Sequence, residues 1–146
     1  MIAKKKNKQS LSLRQKKDYI YAVGKRKSAS ARVRLFKGKG ETLVNGKTIE
    51  KYFSSEVFKD MWSRPFKTVD VQDKYYATVR VIGGGIRGQL DAVTHGIARA
   101  LAKAEKDKFR KPLKKMGLLT RDARIRERRK VGTGGKARRK KQSPKR

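Results

Sequence analysis

The chain has 146 residues, enough for one domain with appendages, and 43 Lys and Arg stand against 12 Asp and Glu for a formal charge of +31. There is no cysteine and one histidine, His95, so disulfides and Cys-based zinc sites are excluded and no metal or cofactor is expected. No run reaches the roughly 18 apolar residues of a membrane span, and the opening MIAKKKNKQS lacks a signal peptide's apolar stretch, so a cytosolic protein with no membrane partner is expected.

The charge is uneven. Residues 1–18 carry seven bases and one acid, residues 19–106 eighteen and eight, and residues 107–146 eighteen and three. Self-repulsion at this density opposes compaction, and nucleic acid is the polyanion that relieves it. Apolar periodicity is confined to the middle, which places a globular domain at 19–119, a basic extension at 1–18 and a basic tail at 120–146.

Residues 19–23 read as a short strand, and Gly24, Lys25, Arg26 and Lys27 as a basic break after it. From Ser28 to Phe36 the pattern alternates. Ala29, Ala31, Val33 and Leu35 take one face, and Ser30, Arg32, Arg34 and Phe36 the other. Period two marks a half-buried strand. Its open face is either solvated or an RNA-contacting surface.

Asn45-Gly46 between β-formers predicts a tight hairpin turn. Two short helices follow, with Thr48 and Ser54 or Ser55 as N-caps, Val57, Met61 and Trp62 facing the core, and Pro65 ending the second. The aromatic cluster Tyr52, Phe53, Phe58, Trp62 and Phe66 falls at helical spacing and reads as core rather than a base-stacking platform.

Residues 69–82 read as a strand with a turn at Gln72-Asp73, and Tyr75, Ala77, Val79 and Val81 alternate with Tyr76, Thr78, Arg80 and Ile82. Beyond it, Ile86, Leu90, Val93, Ile97, Leu101 and Ala104 mark one face of a long helix. A second short helix spans residues 109–116, with Gly117 at its end. Past Leu119 the apolar pattern stops, and residues 132–146 hold seven bases and no large apolar residue. Such a segment cannot order itself by burial.

Gly83, Gly85 and Gly88 spell G-x-G-x-x-G between a strand and a helix. A dinucleotide site is a poor fit, since no room remains for further βαβ units. The glycines serve a tight turn, or bare N–H groups at a helix N-terminus hold an RNA phosphate; the two are compatible. His95 has no Ser or Asp arrangement around it and reads as a packing or polar-contact residue. No enzyme is expected.

The strongest signal is the basic clusters. They are Lys25-Arg26-Lys27, then Arg124 to Lys130 with Arg126, Arg128 and Arg129 between, then Lys136 to Lys141 with Arg138, Arg139 and Lys140 between. Arginine forks and lysine ammonium groups suit phosphate oxygens, on RNA or DNA alike. Arg32 and Arg34 on the open strand face, and the glycine loop Gly83, Gly84 and Gly85 with Gln89 behind it, join these clusters as RNA-facing candidates.

Four motifs in order carry a resemblance: YAVGKRKSASARVRL, LVNGKTIEKYF, GGGIRGQ with THGIARAL, and LLTRDARIRERRKVG with KARRKKQSPKR. Together they resemble the bacterial-type small-subunit ribosomal protein nine family over most of residues 19–146. The resemblance implies an α+β domain: a mostly antiparallel sheet packed with helices, with a left-handed βαβ crossover of the kind in the second domain of ribosomal protein five. It implies a place in the small-subunit head, on the 3′ major domain of the ribosomal RNA, beside ribosomal proteins seven, ten and fourteen. It implies a tail that reaches peptidyl-site tRNA, with Lys145 and Arg146 at the anticodon-stem backbone. Gly24, Lys25, Arg26, Lys27, Ser28, Arg121, Arg128, Arg129, Lys130, Arg138 and Arg139 match the family's RNA-binding positions. The chain departs from the family at Leu90 and Asp91, where small residues are common, and at Thr94, where a base is common. It also has Gln142-Ser143-Pro144-Lys145-Arg146 where the family usually has a Phe after the Gln.

Overall fold

The computed structural model describes residues 18–131. Expectations for the N-terminal extension, for Lys136, Arg138, Arg139, Lys140 and Lys141, and for the tip Lys145 and Arg146 lie outside the described residues.

Strands β1 (Ile20–Arg26) and β2 (Ala29–Lys37) form an antiparallel hairpin in which Arg26 pairs with Ala29. The strand thus runs through the stretch expected to break it, and the turn is Lys27-Ser28. Lys27 adopts φ 51°, a left-handed conformation that the bases around it do not advertise. The expected alternation along β2 is present: Ala29, Ala31, Val33 and Leu35 are buried, and Arg32 and Arg34 are exposed.

Strands β3 (Leu43–Val44) and β4 (Lys47–Thr48) flank the Asn45-Gly46 turn. Both turn residues have positive φ, 50° and 81°, as a two-residue hairpin of this kind requires. Helices α1 (Ile49–Tyr52) and α2 (Glu56–Thr68) follow, with Thr48 and Ser55 at their N-caps. Neither hydroxyl makes a capping hydrogen bond, so the positions are as expected and the mechanism is not. Met61 and Trp62 pack against the core, whereas Val57 is 63% exposed.

Pro65 does not end α2, which continues to Thr68 with Pro65 buried inside it. A proline there cannot donate to the carbonyl four residues back, that of Met61. The Thr94 hydroxyl lies 3.4 Å from that carbonyl while it donates at 2.9 Å to Leu90. A neighbouring helix thus meets the group that the proline leaves free.

Strand β5 (Tyr75–Ile82) is shorter than expected, because residues 69–74 form a turn region. The sheet order is β1-β2-β5-β3-β4, with three antiparallel pairs and one parallel pair, β3 with β5. Asn45 extends the parallel pair with its side chain. Its Nδ2 donates to the Val81 carbonyl at 3.0 Å, and its Oδ1 accepts from the Val81 N–H at 2.9 Å.

Helix α3 (Ile86–Ala104) packs on the inner face of the sheet, and α4 (Lys106–Lys115) follows it. Leu90, Val93, Ile97 and Leu101 are fully buried as the periodicity predicts, but Ile86 is 59% exposed at the helix entrance. The helix lies very close to β1. A Cβ on Gly24 would stand 1.9 Å from the Ala92 carbonyl oxygen, and one on Gly96 would stand 2.6 Å from Val33 Cγ2. The close approach of two backbones is what both glycines permit. Arg99 and Lys103 of α3 then reach over edge strand β1 and donate to the Val23 and Tyr21 carbonyls. They cover an edge that would otherwise offer itself for pairing.

Helix α4 ends at Gly117 as expected. The Gly117 N–H bonds the Lys114 carbonyl and the Leu118 N–H bonds the Leu113 carbonyl, closing the last turn.

Candidate nucleic-acid interface

With α3 covering one face of the sheet, the other face of β1, β2 and β5 is open. The strand registers place its side chains in rows. Val23, Arg32 and Arg80 form one row; Tyr21, Arg34 and Thr78 form the next. Arg32, Arg34 and Arg80 are exposed, and no Asp or Glu occupies this face. Arg32 stands directly opposite Arg80 on the neighbouring strand. Like charges so placed are destabilising in the free protein. A polyanion removes that cost. Arg80 was missed in the sequence, although the alternation that singled out Arg32 and Arg34 applies equally to it.

The face also carries rings. Phe36 stacks on Tyr76 with centroids 5.1 Å apart, Tyr19 tilts against Phe36 at 5.7 Å, and the Arg34 guanidinium lies 5.2 Å over Tyr19. A Cβ on Gly40 would fall 2.8 Å from the Tyr76 ring, so that ring's outer face is covered as well. These rings consolidate one another and leave the arginines as the reactive chemistry of the face.

The second group of residues lies where the β1–β2 turn meets the glycine loop. Lys25, Lys27 and Ser28 are exposed at this tip. Gly83 and Gly84 have φ 75° and 64°, and a Cβ on Gly83 would meet the Ser28 carbonyl oxygen at 2.6 Å. Gly85 is the N-cap of α3, has open space beside it, and precedes a first turn without an acid. Unopposed N–H groups there, beside the exposed Arg87, suit an anion. Gln89 is turned inward instead. Its Nε2 donates to the Gly83 carbonyl at 3.0 Å and its Oε1 accepts from the Tyr52 hydroxyl at 2.8 Å, so it braces the loop.

Arg26 is likewise drawn into the fold. Its side chain is only 15% exposed, with Nη2 3.2 Å from Asp122, Nε 3.6 Å from Asp91, and Nη1 donating at 2.6 Å to the Arg124 carbonyl. Arg124 in turn forks onto Asp122, donating from Nη2 at 2.7 Å. Hydrogen bonds from Arg124, then the charge of Arg26, hold the Asp122 carboxyl well below the usual carboxylate range. The first residues of the tail are therefore tied to the hairpin tip. Arg121, Arg128, Arg129 and Lys130 are exposed beyond or beside this clasp.

His95 packs half-buried against the same stretch. Leu119 offers only a carbonyl oxygen at 3.3 Å, so the His95 Nε2 carries the proton and donates. Its Nδ1 is buried without a partner. Burial, with Arg99 and Arg121 nearby, pushes its pKa down despite the Leu119 contact, which keeps the ring neutral. Among the described residues no group of His, Asp and Glu could hold a metal ion, and no helix is long and apolar enough to cross a membrane.

A family described as ribosomal protein S9/S16 matches residues 24–146. The chain is 51% identical over 127 residues to the small ribosomal subunit protein uS9 of Rickettsia canadensis, covering 87% of this chain and 78% of that one. It is 46% identical to the protein of the same name from Rickettsia rickettsii strain Sheila Smith, covering 99% and 94%. The relative from Cutibacterium acnes is 46% identical over 111 residues, which cover 76% of this chain and 64% of that relative.

Proposed function

The chain belongs to the ribosomal protein S9/S16 family, and from that membership and the interface above we propose how it serves the small ribosomal subunit. It is a structural constituent of that particle, acting in translation, and not an enzyme. It binds small-subunit ribosomal RNA in the head, on the 3′ major domain, beside ribosomal proteins seven, ten and fourteen in the cytoplasmic ribosome. The single observation that carries RNA binding is the opposed pair Arg32 and Arg80 on a sheet face without an acid. Phosphates are the partner that turns this repulsion into affinity.

The chain works in three parts. Residues 1–18 are a basic extension, residues 19–119 the RNA-binding domain, and residues 120–146 a tail. The connection from β3 through α2 to β5 takes the left-handed form that the family resemblance implies. Lys25, Lys27, Ser28 and the glycine loop Gly83, Gly84 and Gly85 meet RNA at the hairpin end. Arg121, Arg128, Arg129, Lys130, Lys136, Arg138, Arg139, Lys140 and Lys141 thread through RNA and contact its phosphates. At the tip, Lys145 and Arg146 hold the anticodon-stem backbone of peptidyl-site tRNA without reading its sequence.

The test is sedimentation of a lysate after a high-salt wash, with the chain quantified across the gradient. One copy per small subunit is expected, because loosely held basic proteins are stripped as salt competes for phosphates. Release by salt, or co-purification with chromosomal DNA, rejects the assignment. Deleting Lys145 and Arg146 should leave incorporation intact and weaken peptidyl-site tRNA binding.

A further inference from the structure

Helix α4 and the end of α3 form a basic surface that the interface above does not use. A groove of about 490 Å³ runs between them, lined by Arg99, Ala102, Lys103, Lys106, Arg110 and Leu119. Four of its six residues are cationic and none is acidic. Arg99 and Lys103 already use their heads on β1 carbonyls. Lys106 and Arg110 are exposed and have no ion-pair partner among the described residues.

The helix is crowded with like charges. Lys106 with Arg110, Arg110 with Lys114, and Lys111 with Lys115 are like charges one turn apart. Lys106 and Lys108 sit in the first turn, where the helix dipole disfavours cations, and Asp107 is the only acid in α4. Its inward face needs only Phe109 and Leu113, both buried. Nothing in the packing requires the outward face to be so rich in bases. A solvated helix gains from mixed charges; one that lies along a polyanion gains from this arrangement.

We propose that the α3–α4 groove holds the phosphate backbone of a second RNA segment, separate from the one at the hairpin tip and glycine loop. The two surfaces sit at opposite ends of α3. From Arg87 to Lys103 the helix advances about 24 Å at 1.5 Å per residue. The domain therefore acts as a spacer that fixes two RNA segments relative to each other. This inference rests on the RNA-binding reading given above.

The experiment uses the full chain and a transcript of small-subunit ribosomal RNA. Hydroxyl-radical footprints and the salt dependence of affinity are compared for the native chain and for K106Q/R110Q/K111Q/K114Q. Glutamine keeps good helix propensity. One protected RNA segment should disappear while the others persist, and the slope of log affinity against log salt should shrink by about 2 to 4, at roughly 0.7–0.9 per lost phosphate contact. Should the quadruple variant not fold, K106Q/R110Q should lose the same segment with a slope change of about 1 to 2. An unchanged footprint in a folded variant overturns the inference. No footprint from the native chain instead removes the RNA reading itself.

Discussion

Arg26 and Asp122 are separated by 96 positions in the chain, yet Arg26 Nη2 lies 3.2 Å from the Asp122 carboxylate. The contact joins the hairpin tip to the first residues of the tail, and Arg26 strengthens it by donating to the Arg124 carbonyl. In the free protein it fixes residues 122–124 against the end of β1. Replacing Arg26 with Ala should release this stretch. Backbone order parameters at Asp122 and Arg124 should fall from about 0.85 toward values below about 0.6, while those in β2 stay unchanged. Arg26→Lys keeps a charge and loses the fork, so it should fall between the two. Equal order in all three proteins means that the tail start is held by something other than Arg26.

The approach of α3 to β1 is the least forgiving contact in the fold. Gly24→Ala places a methyl 1.9 Å from the Ala92 carbonyl oxygen, and both partners are backbone. Overpacking of this kind costs about 1–3 kcal/mol, and a backbone clash should lie at the top of that range. Gly85→Ala is the control. Gly85 has φ −98° and open space where the methyl would go, so its substitution should be close to neutral. Thermal unfolding separates the two readily, since 1 kcal/mol moves the midpoint of a domain this size by about 4–8 °C. Equal midpoints for the two variants contradict the packing described.

Periodicity made much of this legible. The alternation from Ala29 to Leu35 and the stepping from Leu90 to Leu101 state their buried faces directly, because burial is what creates the pattern. Asn45-Gly46 is equally plain, since few other pairs accept two positive φ angles. What periodicity does not show depends on partners distant in the chain. Pro65 reads as a helix end until Thr94 arrives beside the Met61 carbonyl. Gly24 reads as part of a basic break until Gly96 is seen against it. Arg26 and Lys25 are adjacent bases in one cluster, but strand alternation turns the first toward Asp91 and Asp122 and leaves the second in solvent. Charge announces a class of ligand; it does not say which members of a cluster are spent inside the fold.

His95 makes stability depend on pH in a window that carboxylates do not share. Its folded pKa lies below the ordinary value of 6.5, and the neighbouring charges are Arg99 and Arg121, which do not titrate there. The neutral ring is thus favoured by folding. Its contribution is complete above about pH 6.5 and is lost as pH falls from there through the lowered folded value. Asp122 has the same sign but a more acidic window, below its ordinary value of 3.8. Denaturant midpoints should therefore decline below about pH 6.5, and His95→Leu should flatten that decline. A native profile that is already flat between about pH 5 and 7 argues against a depressed histidine.

Arg32 and Arg80 should give opposite signs in two assays. In the free domain each raises the electrostatic cost of the other, so Arg32→Thr should stabilise it by about 0.2–1 kcal/mol; threonine is also a good strand former. On the proposed RNA-binding reading the same change removes a phosphate contact. Affinity should drop, and the salt slope should shrink by about 0.7–0.9. Thermal midpoints of the free protein and binding isotherms at several salt concentrations read the two effects separately. A purely structural arginine would lose stability and leave binding alone. A solvated one would gain stability with no change in binding. Only a residue held in place for a polyanion gains in the first assay and loses in the second.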